Sequence, residues 1–143
     1  MLGIISAIIS GISMSLQGVF NTRLQEKLGV WETNTFVQGS GFLITIIITL
    51  FLGKLNFKEI LNSNKLYLTG GALGVVIIFT VITGIGALGA THAIAIILIS
   101  QLLAASLIDA FGLFGTETIK FTLTKILGVA VMIVGIIIFK WKS

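Results

Sequence analysis

Of 143 residues, 56% are hydrophobic and 10% charged, with mean hydropathy +1.15. An ordinary soluble domain carries about 25% charged residues, so this chain has too little polar surface to face water on all sides. Its nine Lys and Arg give a net charge of +4 but stand singly between apolar runs, which excludes a phosphate-tracking surface and a nucleic-acid partner. Cysteine is absent, which removes disulfides, thiolate metal ligands and thiol nucleophiles.

A helix needs about 20 mainly apolar residues to cross roughly 30 Å of hydrocarbon at about 1.5 Å per residue. Five segments approach or meet that length: 2–21, 35–52, 66–88, 91–111 and 123–139. None shows the two-residue alternation of barrel strands. The expectation is an all-α integral membrane protein, one transmembrane domain over 1–143 with five transmembrane helices.

The first segment lacks a basic start and a small-residue cleavage site, so it reads as a retained helix rather than a removed signal peptide. Ser10, Ser13, Gln17 and Asn21 recur every three or four residues along one face, while Gly3, Ala7, Gly11 and Ser15 form a second stripe that lets a neighbouring backbone come close. Gln17 and Asn21 are therefore substrate-pathway candidates, with helix gluing as the plain alternative. Residues 22–34, rich in polar side chains, read as a connector. In the second segment Gln38 is a polar group beside Gly39 and Gly41. After a basic connector over 53–65, the third segment offers Gly70, Gly71 and Gly74 for packing.

Only Gly89-Ala90 separates the third and fourth segments, which predicts a very tight turn. His92 follows, and an imidazole there would suit proton coupling, with an interfacial hydrogen bond as the plain alternative. Further along, Gln101, Ala105 and Asp109 stand four residues apart on one face. Asp109 lies near the C-terminal end of its helix, where the macrodipole disfavours negative charge. A cationic substrate group, a proton or a Lys such as Lys120 would compensate it; hydration at the interface is the plain alternative. Gly128 and Gly135 share a face of the fifth segment and suit a dimer seam.

Glu26, Glu32, Glu59 and Glu117 sit in or beside connectors. No two His, Asp or Glu have metal-ligand spacing on one helix, and no phosphate loop is present. The residues point to passage rather than catalysis, with no cofactor and no metal.

An odd number of spans puts the termini on opposite faces. The N-terminal side then receives Lys54, Lys58, Lys65, Lys120 and Lys125, and the other side Arg23, Lys27, Lys140 and Lys142. Five against four barely instructs insertion. The expectation is dual topology, with copies inserted both ways and paired antiparallel.

The residues Gln17-Gly18-x-x-Asn21, the string Gln101-Leu102-Leu103-Ala104-Ala105-Ser106-Leu107-Ile108-Asp109-Ala110-Phe111-Gly112-Leu113-Phe114-Gly115, and Lys125-Ile126-Leu127-Gly128 through Gly135 resemble the YdcZ family of the drug/metabolite transporter superfamily. The resemblance covers nearly the whole chain. It implies a half-size, multi-pass exporter of the bacterial inner membrane, one inverted-repeat half, that pairs with a second copy or a paralogue. Many relatives have His after the Asp where this chain has Ala110, which puts a two-residue proton relay in doubt. Small multidrug transporters are a looser match, because they use a Glu in the middle of the first helix and this one has no acid.

Transporters commonly set the substrate site near the midplane between inverted repeats. The expectation is that Gln17 and Asn21 of one protomer and Asp109 of the other line each vestibule, with Gln101 near the centre and a small molecule as cargo. The alternative function is a non-transporting membrane subunit packed against a larger partner.

Overall fold

The computed structural model describes residues 1–53, 57–120 and 122–141. Lys54 and Lys142, which enter the charge comparison, lie outside them. The described residues form helices joined by short connectors: α1 (Leu2–Leu28), α2 (Val30–Leu52), α3 (Phe57–Asn62), α4 (Gly70–Leu88), α5 (Ala90–Phe111) and α6 (Leu123–Lys140), with short 3-10 turns at Lys65–Thr69 and Leu113–Gly115. Four stretches are long and apolar enough to cross a membrane: Leu2–Leu28, Val30–Leu52, Lys65–Leu88 and Ala90–Phe111; Leu123–Phe139 is a shorter apolar helix.

The first connector is a correction. Residues 22–34 are helical apart from Gly29, which alone separates α1 from α2. Polarity suggested a loop there, but Arg23, Leu24, Gln25, Glu26 and Lys27 are all good helix formers, and Arg23 pairs with Glu26 one turn on at 3.0 Å. The helix stops only at Gly29, whose φ of +97° a side chain would resist. Its N–H donates to the Gln25 carbonyl at 2.9 Å, and its own carbonyl accepts from Thr33 N–H at 3.1 Å. One residue thus closes one helix and opens the next. Lys27 in the last turn of α1 and Glu32 in the first turn of α2 suit the helix dipoles that end there.

Gly89 repeats the device with φ +79° and a carbonyl that accepts from Ala93 N–H at 3.1 Å. The chain divides into two compact units, Met1–Ala87 and Leu88–Ser143.

In the first unit α4 presents Ile78, Ile82 and Ile85 inward at helical spacing, each under 9% exposed. Gly18 of α1 leaves a notch for them: a Cβ there would lie 2.8 Å from Ile85 Cδ1 and 3.1 Å from Val81 Cγ1. Between α2 and α4 the bonds are polar. Asn34 Nδ2 donates to the Val75 carbonyl at 2.8 Å, and one turn along Gln38 Nε2 donates to the Gly71 carbonyl at 3.3 Å. Gly74 makes room for that second arm, since a Cβ would meet Gln38 Nε2 at 2.8 Å. Trp31 stacks on Phe79, centroids 5.0 Å apart and planes 15° from parallel, which adds about 0.5–1.5 kcal/mol beyond area burial.

Elsewhere on the long helices large apolar side chains point outward, among them Ile8, Ile12, Phe42, Leu50 and Val131, a surface suited to lipid. Hydroxyls along the same helices fold back: Ser6, Ser15, Thr22, Thr49, Thr80, Thr83 and Ser100 each donate to the carbonyl four residues earlier. That is the local way to satisfy a hydroxyl where no water is at hand.

Candidate functional site: a charged cavity in the second unit

The second unit pairs α5 with α6 around a connector that folds back on the end of α5. Gly112 takes the left-handed conformation at φ +59° and ψ +35° and ends the helix. The Asp109 carbonyl then accepts from Gly112 N–H at 3.3 Å and from Ile119 N–H at 2.9 Å. Thr116 Oγ1 donates to the Leu113 carbonyl at 2.9 Å and approaches the Ile108 carbonyl at 3.4 Å. These bonds satisfy carbonyls that a helix end otherwise leaves open. A side chain at Gly112 is excluded twice over, because its Cβ would also lie 2.6 Å from Thr118 Oγ1.

Held this way, the end of α5 and the start of α6 border a half-open cavity of about 340 Å³. Asp109 and Lys125, both half-buried, supply its charges, and Ser106 its hydroxyl. Leu102, Val129 and Met132 give it an apolar wall, and Ala105 and Gly128 leave the space open. Asp109 and Lys125 stay apart: their charged atoms lie beyond 4.0 Å of each other, and the ion pair among the described residues is Arg23 with Glu26. Ala105 and Asp109 thus share a face as the spacing requires, but Gln101, one turn away, is outside the cavity lining and exposed. Lys125 is the residue that sequence reasoning missed here. Sixteen positions separate it from Asp109, so only the folded connector reveals that they meet; an unpaired base one turn into an apolar helix was the available signal.

The other candidates fall in different surroundings. Gln17 is exposed on α1, while Asn21 on the same helix is only 6% exposed. With α1 extended to Leu28, Gln17 lies about 3 Å along the axis from the helix middle and Asn21 about 9 Å. Gln38 has its amide nitrogen engaged with Gly71, which leaves its Oε1 for any cargo. His92 sits in the first turn of α5 with Nδ1 3.3 Å from the Leu88 carbonyl and a buried Nε2 that has no partner. Among the packing glycines, Gly74 meets Gln38, whereas a Cβ at Gly3, Gly11, Gly70, Gly128 or Gly135 would meet nothing within 4 Å. Gly135 lines a second, nearly all-apolar cavity of about 330 Å³ with Thr91, Leu98, Met132 and Phe139.

Four helices long and apolar enough to cross a membrane, joined in part by tight glycine turns, define a multi-pass membrane protein. The family described as "Putative inner membrane exporter, YdcZ" matches residues 2–138. The chain belongs to that YdcZ family, whose description makes it an exporter of the inner membrane rather than an enzyme. No curated protein and no solved structure matches it.

Proposed function

We propose that the chain exports a small molecule by alternating access as an antiparallel pair of copies, or of this chain with a paralogue, with α6 as a fifth span. The 18 residues of α6 reach about 27 Å, close to the hydrocarbon thickness. The observation that carries the reading is the cavity in the second unit: a carboxylate and an ammonium that form no ion pair in a lining whose other residues, Ser106 apart, are apolar or small. Lipid-facing charge is costly, and such groups are retained where they meet water, a cargo or a proton.

Gln17 and Gln101 support the pairing. Both are exposed amides on long apolar helices, where lipid offers no hydrogen bond; a second copy or the transported molecule does. Asn21 and the free oxygen of Gln38 extend the same polar set. Asp109 is the residue proposed to exchange protons or bind cargo, and His92, with its unpartnered Nε2, is the second candidate for proton coupling. The unfilled faces at Gly3, Gly11, Gly128 and Gly135 suit the interface between copies.

The test is reconstitution. Purified protein in proteoliposomes loaded with a metabolite extract should release specific small molecules, and Asp109→Asn should abolish that release while leaving the melting temperature in place. Release that is unchanged in both Asp109→Asn and Gln101→Ala would refute the site. Cysteine labelling at Ser143 should reach both membrane faces; labelling from one face only would remove dual topology and leave pairing with an oppositely inserted paralogue.

A further inference from the structure

We infer that the cavity between α5 and α6 takes a small zwitterion of amino-acid type, its ammonium against Asp109 and its carboxylate against Lys125; this names the cargo class and rests on the transporter reading. Three observations converge on a ligand with both charges. The lining carries one acid and one base, so a net-neutral guest leaves no charge uncompensated, whereas a simple cation would strand Lys125 and a simple anion would strand Asp109. The two charged groups form no ion pair, their charged atoms lying beyond 4.0 Å of each other, so each has its charge to offer to a guest in the cavity that both line.

The third observation concerns the helices themselves. Asp109 lies in the last turn of α5 and Lys125 in the first turn of α6. Each charge therefore stands at the end of its helix where the macrodipole disfavours it. Neither helix stabilises its own charge, so each side chain has most to gain from an external partner of opposite sign. A guest ammonium beside Asp109 and a guest carboxylate beside Lys125 would each offset the unfavourable dipole field at that side chain.

Size and wall complete the description. A volume of about 340 Å³ falls at the small end of the range of roughly 300–1,000 Å³ for ligand pockets. Leu102, Val129 and Met132 form an apolar surface for an aliphatic or aromatic substituent, and Ser106, 8% exposed, adds one hydroxyl.

Binding to the purified full chain tests this directly. Probes are L-alanine, L-leucine and L-phenylalanine as zwitterions, with L-leucinamide and 4-methylpentanoate carrying the leucine side chain and a single charge each. At least one zwitterion should bind, and leucine should bind about tenfold or more tightly than both single-charge analogues, as expected for losing one charge-assisted hydrogen bond. Asp109→Asn should remove the preference for leucine over 4-methylpentanoate, Lys125→Gln the preference over leucinamide, and the exchange Asp109→Lys with Lys125→Asp should restore zwitterion binding. Binding of leucinamide or 4-methylpentanoate as tight as leucine, or no binding of any zwitterion to folded protein, overturns the proposal. Efflux from proteoliposomes separates the two claims: release of other molecules without zwitterion binding sinks the cargo class alone, and tight zwitterion binding without transport by the wild-type chain sinks the transporter reading alone.

Discussion

The two units use polar residues in opposite ways. In the first, Asn34 and Gln38 reach across to carbonyls of α4, and the bonds consume the amide hydrogens that lie in apolar surroundings. In the second, Asp109 and Lys125 face one cavity and find no ion-pair partner among the described residues. The contrast teaches that a polar side chain in a spanning helix marks function by what it leaves unsatisfied rather than by its presence alone. The first unit is cross-linked, with Ile85 in the notch at Gly18; the second keeps space beside its charges.

That contrast breaks if substitutions in the two units cost the same, and the following outcomes sharpen it. Gly18→Leu should be the most damaging change, because its Cβ alone would crowd Ile85 and Val81; overpacking should cost about 1–3 kcal/mol, read by denaturant titration in mixed micelles. Gly112→Ala follows, at about 1–2 kcal/mol for a side chain in left-handed conformation, and hydrogen exchange should rise at Ile119, whose N–H bonds to the Asp109 carbonyl. Asn34→Ala should cost about 0.6–1.7 kcal/mol, from the average to the largest value found for interhelical hydrogen bonds in a membrane protein.

Gln38→Ala should cost less, about 0.6 kcal/mol or under, since its bond is longer at 3.3 Å. Asp109→Asn should change the thermal melting point least while removing transport. A large loss of stability on that substitution would make Asp109 a structural residue like Asn34 and erase the distinction between the units.

Much of the helix pattern was legible beforehand. Apolar runs marked the long helices within a few residues at 52, 88 and 111, and Gly89 marked one of the turns, where it takes a positive φ. The first connector was misread because polarity served as the loop signal, while residues 23–27 are polar and helix-forming together. Gln38 was recognised as polar but not as engaged; its bond to Gly71 joins residues 33 positions apart, and no periodicity reports such a distance.

The amino-acid sequence by itself determined that the chain lives in the inner membrane, that it is helical and that it belongs with the YdcZ exporters. Hydrocarbon leaves a spanning backbone helices or closed barrels in which to bond to itself, and long apolar runs without alternation choose helices; the inner membrane and the family come from the YdcZ motifs. Which polar groups face one another was decided only by tertiary structure. Asp109 and Lys125 share a cavity because the connector after Gly112 folds back through Ile119 and Thr116, and side-chain company of that kind depends on where helix ends are brought, not on spacing along either helix.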